Sequence, residues 1–99
     1  MSKLQMLQSL SPRLYQDITA ALEEQFRVHS YDIQLIGEEK DTGIRVIVKY
    51  GENFDHEAEH FFTFDSIGKD TEAFHLFIEE TGEACKKVLI EDYFRTMTP

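Results

Sequence analysis

Tryptophan is absent from this 99-residue chain, and cysteine, proline and glycine are scarce, at one, two and five residues. The single cysteine, Cys85, cannot form a disulfide within the chain, so a disulfide-stapled scaffold is excluded. No apolar run approaches the ~20 residues that a membrane helix requires. Gln5, Gln8 and Ser9 interrupt the apolar N-terminus, so we expect no signal peptide. These absences predict a single domain over residues 1–99 in the reducing cytoplasm.

Basic residues are also few, since 10 Lys and Arg face 19 Asp and Glu and the net charge is −9. The excess is greatest between residues 51 and 72, where Lys69 is the only base among seven acids. Nucleic acids and anionic membranes bind through Lys and Arg, so neither is an expected partner. The acids are expected to form a solvated, self-repelling surface.

A helix is predicted from residue 12 to residue 27. Ser11 can cap the free N–H groups of its first turn, and Pro12 suits the first helical position. Four apolar residues then recur every four positions and form one stripe: Leu14, Ile18, Leu22 and Phe26. Before this helix, residues 1–10 are expected to form a short helix or a frayed arm.

Three strands are predicted, at residues 29–37, 44–50 and 58–65. Apolar residues alternate with polar ones in the first two, which is typical of half-buried strands: Tyr31, Ile33 and Leu35, then Ile44, Val46, Val48 and Tyr50. These two strands are expected to form an antiparallel hairpin. The aromatic and β-branched residues 61–64 favour a third strand.

Residues 70–97 are predicted to form a second helix, because apolar residues follow the helical period: Phe74, Phe77, Ile78, Thr81, Cys85, Val88 and Leu89. Gly82 costs this helix about 1 kcal/mol relative to Ala, which indicates a bend or a close crossing. The predicted fold class is α+β, a two-layer αβββα domain. Its three-stranded antiparallel sheet carries two helices packed on one face.

Residues 56–60 read HEAEH and match the H-E-x-x-H pattern of zinc peptidases. On a helix, His56 and His60 could share one ion, with Glu57 as the base and Glu79 or Glu80 as a distant third ligand. In a strand the two imidazoles would lie about 13 Å apart, too far for zinc–nitrogen bonds of about 2.0 Å. Because the following residues favour a strand, we expect a chance match and neither metal nor cofactor.

Two other candidate sites have structural explanations. Cys85 lies on the apolar stripe of the last helix, where a cysteine is more often a small core residue than a reactive thiol. His75 precedes Glu79 by one helical turn. The pair could be a catalytic dyad, but such a pair is more often exposed on a solvated face.

More apolar surface is present than this small fold can easily cover. Six residues are therefore predicted to form an interaction surface: Ile47, Phe61, Ile90, Tyr93, Phe94 and Met97. Contiguous exposed apolar surface usually marks protein contacts. The expected function is a non-catalytic domain acting through protein–protein contacts, with a homodimer as the expected assembly. Two alternatives stay open, a small zinc hydrolase using HEAEH and an acidic decoy for a basic nucleic-acid-binding surface.

Overall fold

The computed structural model describes residues 3–68 and 70–97, with backbone only for Glu52 and residues 92–97. The described chain contains four strands and three α-helices. In chain order these are β1 (Leu4–Met6), α1 (Leu7–Leu10), α2 (Pro12–Phe26), β2 (Ile33–Glu39), β3 (Gly43–Tyr50), β4 (His56–Thr63) and α3 (Glu72–Met97). Short 3-10 turns, Ser30–Asp32 and Glu52–Phe54, precede β2 and β4.

Helix α2 begins and ends at residues with clear local signals. The Ser11 hydroxyl accepts a hydrogen bond from the Leu14 N–H, and Pro12 takes the first helical position. The helix ends before Arg27, which is left-handed at φ 58° and whose N–H donates to the Glu23 carbonyl. Its apolar stripe faces the sheet, where Leu14, Ile18 and Leu22 are buried.

The strands form one antiparallel sheet in the order β1-β2-β3-β4. The predicted hairpin is present as β2 and β3, with Ile36 opposite Ile47, and β4 pairs antiparallel with β3, with Glu59 opposite Ile47. One side of the central strand β3 is buried under the helices: Ile44, Val46, Val48 and Tyr50. The observed strands begin and end within four residues of the predicted bounds.

The α+β class with an antiparallel sheet is confirmed, but the count of three strands was wrong. The additional strand lies in the first ten residues, where Leu4–Met6 pairs with Glu38 to Ile36 of β2, and the short helix that was one alternative for this segment is a single turn at residues 7–10. Leu7 is fully buried, and Gly37 of β2 makes room for it. A Cβ at Gly37 would lie only 2.9 Å from Leu7 and 2.8 Å from Leu10.

Helix α3 begins two residues later than predicted, because Thr71 caps it. The Thr71 hydroxyl accepts from the Phe74 N–H at 3.2 Å. The helix then buries five side chains against the sheet and α2: Phe74, Phe77, Ile78, Thr81 and Cys85. Gly82 marks a close crossing, since a Cβ there would overlap the Phe26 ring of α2. In the described chain, no helix combines the length and apolar character needed to cross a bilayer.

Candidate functional site

The HEAEH segment is extended and forms the first five residues of β4. His56 lies opposite Tyr50 and His60 opposite Val46, so both imidazoles point to the helix-covered side. Four residues of strand separate them by about 13 Å. Glu57 alternates to the other side of the sheet, away from both rings. The strand therefore separates the three groups that a zinc peptidase would bring together.

Each of these histidines has aromatic neighbours. The His60 ring centroid lies 4.4 Å from that of Phe62 and 5.6 Å from that of Phe77, and His56 stacks on Tyr50 at 5.5 Å. Glu79 and Glu80 remain exposed on α3. Among the side chains that the structure describes, no three His, Cys, Asp or Glu residues are grouped closely enough to hold a metal ion.

Cys85 and His75 occupy different environments. Cys85 is fully buried under α3, and this burial raises the pKa of its thiol to about 12, with a smaller contribution from the charge of Asp32. A thiol in that state is protonated at neutral pH and is a poor nucleophile. His75 and Glu79 are both exposed on α3, on a solvated helix surface.

The side of the sheet opposite the helices is a mixed apolar and charged surface, which we call the open face. Its apolar residues come from all four strands and its charged residues from β2, β3 and β4. By the register they are Leu4, Met6, Ile36, Ile47 and Phe61, with Glu38, Arg45, Lys49, Glu57 and Glu59. Met6, Ile36 and Ile47 are consecutive neighbours across three strands, so the apolar part is contiguous.

The predicted interaction residues are divided between two regions. Ile47 and Phe61 share the open face, but Ile47 is only 6% exposed and Phe61 is 41% exposed. Ile90, 46% exposed, lies on α3 beside a groove next to Phe26. The side chains of Tyr93, Phe94 and Met97 lie outside the described residues.

Two residues of the open face were missed in the sequence, Leu4 and Met6. They are 52% and 38% exposed and belong to β1. A strand of three residues is too short for an alternating pattern to be visible. Their apolar character is the only available signal, and it is equally compatible with the short helix or frayed arm predicted for residues 1–10.

A network of charges crosses the open face beside Ile47. Arg45 donates from Nη2 and Nε to Glu59 Oε2 at 2.6 and 3.1 Å, and from Nη1 to Glu38 Oε1 at 3.3 Å. Glu59 raises the pKa of the Arg45 guanidinium, and Glu38 does so to a lesser degree. Lys40 Nζ lies 3.2 Å from Glu38 Oε1. The hydrogen bond from Lys40 is the largest cause of the lowered pKa of the Glu38 carboxyl.

The open face adjoins the free edge of β4. The Phe64 N–H donates to Thr42 O of the neighbouring strand end. Because backbone groups alternate along an antiparallel strand, the N–H and C=O of every second residue point away from β3. These outward residues are Glu57, Glu59, Phe61 and Thr63. In the part of the chain that the structure describes, no strand pairs with that side.

Comparison with known proteins identified no relative: no family model, no curated protein and no solved structure matches the chain.

Proposed function

We propose that the protein is a small non-catalytic domain that acts through protein–protein contacts, with a second copy of the same chain as the partner on the open face. The observation that supports this is the exposed apolar surface on the uncovered side of the sheet. Leu4, Met6 and Phe61 expose a third to a half of their surface there, around the more buried Ile36 and Ile47. Such patches are typical of protein interfaces.

The distribution of charge favours a second copy as the partner on this face. Although the whole chain carries a net charge of −9, the open face carries three carboxylates and three bases. The carboxylates are Glu38, Glu57 and Glu59, and the bases are Arg45, Lys49 and Lys40, which reaches Glu38 from the adjoining turn. The excess of acids therefore lies elsewhere, and two open faces can approach each other with little net repulsion.

Sedimentation velocity between about 10 and 500 µM tests this proposal. We expect the wild-type chain to dimerise within this range. A Met6→Gln, Phe61→Gln double variant should remain a monomer, because it removes the two exposed residues nearest the ends of the apolar row. Leu76→Gln is the matched control: Leu76 is 51% exposed on α3, outside the open face, so this variant should dimerise like the wild type. A wild-type chain that is monomeric at 500 µM contradicts the proposal.

The zinc hydrolase is not retained as a candidate, because β4 places Glu57 on the opposite side of the sheet from His56 and His60. The cytoplasmic location stays a prediction from the sequence. The acidic residues around β4, which suggested an acidic decoy, lie beside the free edge of that strand.

A further inference from the structure

The two edges of the sheet differ in how they are protected. Edge strand β1 is three residues long and runs directly into α1, so it offers little backbone for pairing. Edge strand β4 is eight residues long. Its eight consecutive pairs with β3, from Gly43 opposite Thr63 to Tyr50 opposite His56, contain no bulge. Proline and glycine, which often interrupt edge strands, are absent from it.

An edge of this kind can accept one more strand. The outward N–H and C=O groups of Glu57, Glu59, Phe61 and Thr63 form a regular row of donors and acceptors. Extended peptides use such rows to add a strand to a sheet. The backbone bonds then supply affinity, and the side chains that alternate between the two sides supply specificity.

The charge at this edge disfavours two of the antiparallel pairings with a second copy of β4. No Lys or Arg occurs between Tyr50 and Gly68, a stretch that includes exposed Asp55, Glu57, Glu59 and Asp65. Antiparallel self-pairing centred on Ala58 would place Glu57 opposite Glu59 of the second copy, and centring on Glu59 would oppose the two Glu59 residues, whereas centring on His60 would place Glu59 opposite Phe61. Like charges directly opposite each other destabilise a strand pair. Glu59 is bonded to Arg45, whereas Glu57 is exposed and is not, so a strand with a basic side chain facing Glu57 is matched to this edge.

On the helix-covered side, the edge lies under a part of α3 with small side chains. The Phe77 ring lies 5.4 Å from Phe62 and 5.6 Å from His60, so this side of α3 overlies β4. Ala73 and Ala84 are four residues before and seven after Phe77, on the same side of the helix, and both are half-buried. Apolar side chains of an added strand would lie beside these small residues.

We propose that the free edge of β4 binds an extended segment of another protein in which Lys or Arg alternates with apolar residues. The basic residues lie on the open-face side near Glu57 and Glu59, and the apolar residues lie beneath α3. This inference goes beyond the proposed self-association, because it concerns a second surface and a different partner.

Titration with designed peptides tests this inference. The probe is an acetylated eight-residue peptide with Lys at every second position and Val or Thr between the lysines. Its controls are the same peptide with Glu in place of Lys, and one with Pro at its fourth and fifth residues, which cannot form a continuous strand. We expect only the Lys peptide to bind. Binding should weaken at least fivefold between 50 and 300 mM salt. It should also slow hydrogen exchange at the outward amides of residues 57, 59, 61 and 63.

Variants of one exposed acid separate charge from fold. Glu57→Lys should weaken binding of the Lys peptide at least fivefold, and Glu57→Gln should do so by a smaller factor. Glu24→Lys makes the same charge change on the exposed surface of α2. The affinity of this variant for the Lys peptide should stay within twofold of the wild-type value at the same salt concentration. Thermal unfolding of each variant verifies that it is folded.

The inference is overturned if the Lys and Glu peptides bind equally, if neither binds at millimolar concentration, or if the exchange of the outward amides is unchanged by bound peptide. It is also overturned if those amides are already protected by a self-associated form of the protein. The sedimentation experiment concerns the open face and uses no peptide, so the two proposals can fail independently.

Discussion

Arg45 and Glu59 form a two-donor ion pair between β3 and β4, with Nη2 and Nε of the arginine on the same carboxylate oxygen at 2.6 and 3.1 Å. Glu59 is directly opposite Ile47, and Arg45 is two residues before Ile47 on the same strand. The pair therefore lies beside Ile47 and, with Ile36 on the other side, leaves it only 6% exposed. Long charged side chains often cover apolar surface in this way.

The Glu38 carboxyl should titrate below its ordinary pKa of 4.5, chiefly because of the hydrogen bond from Lys40. A carboxyl whose pKa is lower in the folded than in the unfolded chain stabilises the fold above the unfolded pKa. That contribution is lost as the pH falls through the folded pKa. Lys40→Ala should therefore raise the Glu38 titration midpoint, as measured by carboxyl NMR. Acid unfolding should also begin at a higher pH.

Lys87→Ala removes an exposed lysine of α3 and is the control for Lys40→Ala. The Glu38 midpoint should not change in this variant. An unchanged midpoint in Lys40→Ala would show that Lys40 does not determine the Glu38 pKa.

Native Cys85 should resist thiol reagents. Burial raises its pKa from 9.0 to about 12, so the thiolate fraction at pH 8 is about a thousandfold lower than in the unfolded chain. We expect modification by an aromatic disulfide reagent to be at least a hundredfold slower in buffer than in 6 M guanidinium. Rapid labelling of the native protein would show that the α3 contact opens readily.

The same thiol should lower stability at alkaline pH. Between pH 9 and 12 the unfolded chain releases the Cys85 proton and the folded chain retains it, so the free energy of unfolding falls as the pH rises. Denaturant titrations at pH 8, 9 and 10 should show this decline. It should be smaller in Cys85→Ala, which has lower stability throughout because of the lost packing.

Gly82→Ala should destabilise the protein, although Ala is the better helix former. The gain in helix propensity is about 1 kcal/mol, but the new methyl group overlaps the Phe26 ring, and overpacking costs about 1–3 kcal/mol. In a Phe26→Ala background the same change should stabilise. Urea unfolding of the wild type, the two single variants and the double variant gives the effect of Gly82→Ala on stability in both backgrounds. A stabilising Gly82→Ala in the wild-type background would contradict the close crossing.

Leu7→Ala should cost about 2–4 kcal/mol, because it removes a fully buried side chain. Leu4 is three residues away but half exposed, so Leu4→Ala is the matched control and should change stability by less than about 1 kcal/mol. Equal effects in urea unfolding would mean that α1 contributes no more to the core than β1.

Much of the fold could be predicted, because its signals are local. The stripe of α2 and the alternation in β3 recur within single elements, and both elements lie within a residue of their predicted bounds at each end. Strand β1 could not be predicted in this way. Its partner residues are 30 to 34 residues away in the sequence, and the space that admits Leu7 depends on the missing side chain of Gly37.

The sequence pattern predicts on which side of the sheet the surface residues lie, but not how exposed their side chains are. Alternation placed Ile47 and Phe61 on the same face, as the register has them. The burial of Ile47 depends on side chains from neighbouring strands, including Glu59 and Ile36, and Leu4 and Met6 join the face only through β1. These contacts are made between different strands, so the residue pattern along a single strand does not predict them.

The short edge strand β1 and its succeeding helix limit how molecules of this protein can join. Across the described chain only the β4 side offers a full-length row of free backbone groups. If a strand of another molecule pairs with β4, the enlarged sheet cannot grow at its other edge. Strand β1 forms that edge, has only three residues and runs directly into α1. Continuous growth into a fibre requires two free sheet edges in each molecule. Pairing at the β4 edge therefore produces complexes of limited size.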